Sequence, residues 1–386
     1  MLANGLVAAT ASHFTEWKAR VDEQVKIVIP DAVRVARPRE ILNPSAEESP
    51  RATAPARIAS VTRLGLHAQL KASTEEMSFV GEAVHRFLAA DPAVTGASER
   101  SAREQLARSL LHSHHVPDAL VPAAVVSMGD ALLGELRRRY PQASWNREWP
   151  IRACMGEEGA ARLLVGEADL VLELVNGFVL VDHKSFPGSE AARTQRVLGT
   201  ALQLARSTRA LERALHKPLL AAFIHLPLRG ELVEVDLREL LASLEVPEPT
   251  RLAYEASAYH VKAVPGLLPE PLILRHGQIS EALEPVLGKT GTKEWAFITA
   301  YNPHSKKGAD NAAAQLRLRA ELEGGKFTLL EGIGVGADPE WTPEPSVLVL
   351  GISHDEALAL GRRHGQHAVV VGRTGEPARI AYCGKA

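Results

Sequence analysis

Cysteine is nearly absent. The chain of 386 residues has two, Cys154 and Cys383, far apart and outside any CxxC pattern. That excludes a disulfide framework and leaves no ligand set for a zinc site or a four-cysteine iron–sulfur cluster within this chain. Long apolar runs are missing too. No stretch approaches the ~20 residues of a membrane-spanning helix, so no membrane segment is expected. The opening residues, MLANGLVAATASHF, have neither the basic n-region nor the apolar h-region of a secretory signal, which points to the cytoplasm. An excess of one charge is also lacking. With 44 Lys and Arg against 46 Asp and Glu, the net charge is −2, so contact with a polyanion must come from local basic stripes.

What is present reads as α/β. Residues 1–55 are weakly patterned, with a helix-like piece over Phe14–Val25 and a linker-like stretch, ILNPSAEESPRATAP. Ser73 and Glu76 make a capping box for a helix whose apolar face is Phe79, Val80, Ala83, Val84, Phe87 and Leu88, with His85 at its margin. Amphipathic helices follow around Ala102–His112 and Ala119–Arg139. WNREWPIR (145–152) suggests a strand that Pro150 confines to an edge or bulge. Ser189 caps a helix over Glu190–His216, and strands at Leu219–Leu226 and Glu231–Val235 flank Arg229-Gly230. Residues 264–288 are rich in Pro and Gly and mark a domain boundary, placing a linker at 263–290. A small α+β unit then fills 291–386.

The stretch ARLLVGEADLVLELVNGFVLVDHKS (161–185) organises this pattern. It reads as two apolar-alternating strands joined by a type I′ turn at Asn176-Gly177. That turn sets Val175 opposite Phe178, Val171 opposite Asp182 and Asp169 opposite Lys184. Residues two apart share a face, so Asp169, Asp182 and Lys184 lie together on an outward side, beside Val171, Glu173 and Leu180. The core side takes Leu170, Leu172, Leu174, Val179 and Val181. Two carboxylates diagonal on one sheet face are ~7–8 Å apart, close enough to converge on one cation. Mg²⁺ takes hard oxygen ligands and one or two carboxylates, and Lys184 is placed to orient water or stabilise a phosphate. Spacing alone equally describes a surface salt-bridge cluster on a solvated face. Glu148, in N-R-E-W-P, receives no role from the residues, and Glu173 reads as the polar rim of its strand.

The run G-E-A-D (166–169) followed by V-L-V-D-H-K (179–184) resembles the PD-(D/E)xK nuclease core. It is most similar to the RecB-like nuclease domain at the C-terminus of exonuclease V beta chains and AddA-type helicase–nucleases. G-E-A-V-H-R-F-L (81–88) resembles that family's upstream histidine helix, and A-L-Q-L-A (201–205) its glutamine helix. The resemblance covers about residues 56–235 in the family's order and implies a restriction-endonuclease-like mixed sheet over 56–262. It implies a Mg²⁺-dependent deoxyribonuclease, with Mn²⁺ as a substitute, acting in DNA repair or end processing. Asp169, Asp182, Lys184 and Gln203 would be catalytic. His85, Asp169, Asp182 and the backbone carbonyl of His183 would hold the metal. The family's proline is replaced by Ala168, and Ser207 stands where an aromatic often follows the glutamine, which leaves Gln195 as a rival to Gln203. Arg196, Arg206 and Arg209 on the same helix are the candidate contacts to DNA, beside Arg213. Residues 1–55 resemble the junction between a helicase motor and such a nuclease, so a separately encoded helicase subunit is an expected partner.

Leu283 replaces the first glycine that a phosphate-binding loop ending in Gly288-Lys289-Thr290 would need, so no ATP site is expected. Gly332, Gly334 and Gly336 read as loop punctuation. F-I-T-A-Y-N-P (297–303), E-W-T-P-E-P-S-V-L-V (340–349) and H-G-Q-H-A-V-V-V-G (364–372) resemble a family of small bacterial domains of unknown function. Its polar candidates are Asn302, His304, Asn311, Glu344 and Gln366, which turn and capping roles explain in most cases. Two other functions compete with a DNA nuclease. One is a catalytically silent DNA- or protein-binding module that keeps the fold. The other, an RNA-directed nuclease or immunity-type effector, changes the substrate and keeps the chemistry.

Overall fold

A computed structural model describes residues 40–42, 56–65, 69–95, 99–155, 162–303, 310–338 and 340–384. By contact the chain forms two compact units, Met1–Ile41 with Cys154–Leu163, and Leu42–Ala153 with Leu164–Ala386. The second holds every side-chain contact discussed below. The stretch Phe14–Val25, most of the linker-like segment after it, and His304 lie outside the described residues.

The fold is α/β with two sheets. After the short β1 (Glu40–Leu42), the first sheet is built from β2 (Arg57–Arg63), β3 (Ser144–Met155), β4 (Arg162–Leu174), β5 (Gly177–His183), β6 (Leu219–Leu226) and β7 (Glu231–Asp236). The order β4-β5-β6-β7-β2 is antiparallel except for β5 and β6, and β3 joins at β4. Parallel neighbours need a long crossover. It is supplied by α4 (Glu190–Leu215), which Ser189 caps by accepting from the Ala192 N–H and which His216 ends in the left-handed conformation. Between β2 and β3 come α1 (Met77–Ala90), α2 (Arg100–Ser113) and α3 (Pro122–Arg139), close to their expected spans. The Ser73–Glu76 capping box forms in both directions. Phe79 departs from expectation, since it is half exposed while the rest of its apolar set is buried.

One face of the first sheet closes with α3: Leu170, Leu172, Val179 and Val181 pack with Leu132 and Leu136. The other face, expected to meet solvent, is buried as well. Val171, Phe178 and Leu180 are no more than 2% exposed, because α4 lies across that side. A strand covered on both faces still alternates where a polar site interrupts its second face, so alternation alone misjudged the exposure.

The span 263–290 is no linker. It carries β9 (Leu272–Arg275) and α7 (Glu284–Thr290), and Leu268, Leu272, Leu274, Leu283, Val286 and Leu287 join the second core. Gly266 and Gly277 take positive φ at turns beside these strands, and Pro285 opens α7. Gly288-Lys289-Thr290 ends α7, with Gly291 left-handed after it. Two short helices, α5 (Arg238–Leu244) and α6 (Glu248–Ala256), lead into the second sheet, ordered β14-β13-β10-β12-β11-β8-β9. Its strands are β8 (Ala258–Val261), β9, β10 (Glu294–Ile298), β11 (Thr328–Val335), β12 (Glu344–Leu350), β13 (Ala368–Arg373) and β14 (Arg379–Tyr382). Helices α8 (Asn311–Glu323) and α9 (His354–Arg363) cover one face. Arg379 reaches back to Glu239 on α5 at 2.7 Å.

The histidine helix is anchored at its end by one buried ion pair. Asp91 caps α1 and accepts two bonds from Arg103, at 2.8 and 2.7 Å, with both side chains under a tenth exposed. Arg147 on β3 also donates to the Asp91 and Leu88 carbonyls. Removing one partner of a buried pair strands the other charge and costs ~3–5 kcal/mol. Arg103 keeps Asp130 at 2.6 Å, so Asp91→Ala should lose about 3 kcal/mol in urea denaturation. A loss below about 1 kcal/mol would contradict this anchoring role.

Candidate metal centre

The site is set by the register of β4 and β5. Leu174 pairs with Gly177, Glu173 with Phe178, Val171 with Leu180 and Leu170 with Val181. The turn therefore falls on Val175-Asn176, one residue before the expected Asn176-Gly177, and every pairing shifts by two. Neither Asn176 nor Gly177 has the positive φ that a type I′ turn requires. Gly177 is glycine for another reason: a Cβ there would lie 2.6 Å from the Pro218 carbonyl oxygen and 2.5 Å from Leu220. Because the slip is even, every side chain keeps its face. One step beyond Leu170–Val181, Asp169 comes opposite Asp182, which brings the two acids closer than the expected diagonal.

Around these acids the side chains form two groups. Asp182 Oδ2 lies 2.9 Å from Lys184 Nζ, and Asp182 Oδ1 accepts from Gln203 Nε2 at 3.0 Å. On the Asp169 side, His85 Nδ1 is 3.7 Å from Asp169 Oδ2, and His85 Nε2 is 3.2 Å from Glu148 Oε1. Ligand atoms of His85, Glu148 and Asp169 all fall within 4.8 Å of one another. Asp169 Oδ2 also accepts the His183 N–H at 2.7 Å. Gly81 lets α1 come this near, since a Cβ there would already touch Ser185 Cβ at 3.3 Å. Glu148 has a φ of 48°, a left-handed backbone that costs roughly 1–3 kcal/mol in a non-glycine residue and gathers at functional sites.

Burial dominates the electrostatics. It pushes the Asp182 carboxyl up to about 6, reinforced by the charge of Asp169 and only partly relieved by Lys184. Burial likewise raises Asp169 and Glu148, with His85 opposing in both. Glu148 Oε1 and Asp182 Oδ2 are buried and make no directed hydrogen bond. On the opposite face the His183 ring meets His225, Nδ1 to Nδ1 at 3.1 Å, so one donates and the other accepts. Burial drives His183 down to about 3 and His225 well below its ordinary value, keeping both rings neutral.

Residues 298–369 match the family described as "protein of unknown function (DUF3293)". No curated protein matches the chain. The matched segment lies in the second sheet and its helices, and it includes none of the residues of the metal centre. No helix among the described residues is long and apolar enough to cross a membrane.

Of the candidate residues, His85, Asp169, Asp182, Lys184 and Gln203 come together. Gln195, the rival, is exposed on α4. The Glu173 carboxylate pairs with Lys217 at 2.7 Å, away from the centre. Arg209 fails as a contact for DNA: it donates to Glu212 and to the Leu241 carbonyl and pairs with Glu245, tying α4 to α5. Arg196 is exposed and Arg206 half-buried. Glu148 is the member that sequence reasoning left without a role. Its signal was an acid two residues before a proline in an edge strand, and its contact with His85 depends on a fold no local pattern encodes.

The raised acid of Asp182 has a signed consequence. The folded state holds this proton up to about pH 6, whereas an unfolded aspartate releases it near 3.8. Stability from this group is thus present at low pH and is lost as pH rises through 6. His183 and His225 act oppositely, withdrawing stability as pH falls below about 6.5. In chelator-treated protein, Asp182→Asn should melt above the parent at pH 8, with a clearly smaller gain at pH 5 that vanishes only near the unfolded value of 3.8. A gain that is the same at both pH values would contradict the assignment.

Proposed function

We propose that this chain is a divalent-metal-dependent deoxyribonuclease of the RecB-like PD-(D/E)xK group, with the first sheet as a restriction-endonuclease-like core. The observation that carries the reading is the opposition of Asp169 and Asp182 on neighbouring strands, with Lys184 against one acid and His85 and Glu148 against the other. The donor set fits such a cation. It is mostly hard oxygen, as Mg²⁺ or Mn²⁺ prefers, and two of its buried oxygens lack directed hydrogen bonds. His85, Glu148, Asp169 and Asp182 would hold the ion. The His183 carbonyl would join them, since a strand residue sends its N–H and C=O to the same side and the His183 N–H points to Asp169. When bound, the cation supplies positive charge that acidifies water and neutralises phosphate.

The chain's own groups do the rest. Gln203 holds Asp182 Oδ1 and so fixes which oxygen meets Lys184. Lys184, leashed by Asp182, places an ammonium where it orients the attacking water and stabilises charge growing on a phosphate oxygen. The neutral His183–His225 pair adds no competing charge behind the strand. Arg196 on α4 is the exposed cation nearest in sequence for phosphate contact. A DNA substrate, a role in repair or end processing, and a separately encoded helicase partner belong to the same proposal.

A silent binding module is the second reading. It is favoured by the ion pairs within the cluster, in which His85 and Lys184 already face the acids. Incubation of purified protein with Mg²⁺ or Mn²⁺ and linear, circular, single- and double-stranded DNA separates the two. Cleavage is expected, with Asp182→Ala inactive and Lys184→Ala slowed ~10²–10³-fold. Intact DNA throughout, or variants that cut like the parent, would sink the nuclease reading.

A further inference from the structure

The second sheet contains a cavity of about 390 Å³ that the metal centre does not use. It exists because side chains are missing. Gly332-Ile333-Gly334-Val335-Gly336 sets glycine at the last two alternate positions of one face of β11 and just past its end, and residues two apart share a face. These glycines are therefore not loop punctuation. Gly334 and Gly336 line the cavity as bare backbone, and the Phe297 ring closes over Gly332, where a Cβ would lie 2.5 Å away.

Aromatic rings make the walls: Tyr254, Tyr259, Phe297, Tyr301 and Trp341. They are held in place. The Tyr259 hydroxyl donates to the Tyr254 carbonyl at 2.7 Å, and the Tyr259 and Phe297 rings meet edge-on with centroids 5.4 Å apart. Glu344 supplies the charge. It pairs directly with Gly334 across the sheet, and opposed residues share a face, so its side chain stands over the bare strip. Glu344 Oε1 accepts from Asn302 Nδ2 at 2.6 Å and Trp341 Nε1 at 3.2 Å. Asn302, at a φ of 47°, is in turn locked to Asn311 by reciprocal bonds of 2.8 and 3.0 Å. Glu344 Oε2 has no partner among the described residues, and burial raises this acid against the two donors. Residues expected to serve separate turns thus converge on one carboxylate. Among the described lining residues the charged groups are Asp338 and Glu344, both acidic.

We propose that this cavity is a second ligand site, whose ligand is a small organic cation, an alkylated ammonium or a guanidinium, held by the rings with Glu344 as counter-ion. Ring faces attract cations, most strongly where both are shielded from water. An anionic ligand would meet two acids and no described basic group. A neutral apolar ligand would leave Glu344 Oε2 buried and unpaired, which is costly. The polar groups of the site, Asn302, Trp341 and Glu344, lie within the segment that matches the family of unknown function, so the site is independent of the nuclease reading.

Isothermal titration of the full chain tests this, with choline and agmatine as probes. The controls are guanosine and the neutral carbon isostere of choline. At least one cation should bind saturably, and the controls at least about tenfold more weakly. Glu344→Gln keeps an oxygen for Asn302 and Trp341 and should weaken the cation at least about tenfold. Gly334→Leu fills the cavity, and its Cβ has ordinary space, the nearest atom being Ser346 Oγ at 3.7 Å. That variant should abolish binding while the melting temperature holds. No saturable binding of either cation would overturn the proposal. So would controls that bind as tightly, or Glu344→Gln or Gly334→Leu binding like the parent.

Discussion

Backbone pairing between β4 and β5 is the constraint on which the rest of the candidate site depends. Five paired positions from Leu170–Val181 to Leu174–Gly177 decide which side chains meet α3 and which meet α4. An odd slip would exchange the faces, sending Asp169, Asp182 and Lys184 into the leucine and valine layer and turning that layer onto α4. The apolar set Leu170, Leu172, Val179 and Val181 prevents this, since its burial is lost in any odd register. The core thus holds the acids opposite each other, although their own repulsion opposes it.

That repulsion is a cost the fold carries. Asp182 sits under the charge of Asp169 and away from water, and Glu148 adds a third, half-buried carboxylate on a left-handed backbone. Lys184, Gln203 and His85 compensate in part. What remains is two buried oxygens, Glu148 Oε1 and Asp182 Oδ2, met only by the ion-pair contacts of His85 and Lys184, to which a hard cation would be a further partner. The second sheet shows similar economy in another form: side chains are withheld from one strand face, and a carboxylate is left beside aromatic rings.

Much of this was legible in the residues, and the parts that were not share a cause. Periodicity and caps located α1, α4 and β6, because those signals are local. The faces of the hairpin came from its alternation. Its turn did not, because Gly177 answers to the approach of Pro218 and Leu220 from a distant strand. Glu148 and Arg209 were misjudged for the same reason: the contacts of one with His85 and of the other with Glu245 are long-range. Residues 263–290 looked like a linker because turn-rich sequence is the same whether it joins domains or strands of one sheet.

Thermal melting of the full chain against increasing Mg²⁺ or Mn²⁺ tests the central claim without requiring a substrate. A ligand that binds only the folded state stabilises it by ~2.7 kcal/mol at a hundred times its dissociation constant. The melting temperature of the parent should climb with the cation, and those of Glu148→Ala and Asp169→Ala should stay flat. A parent that does not respond, or variants that climb as steeply as the parent, would contradict a metal centre at this place.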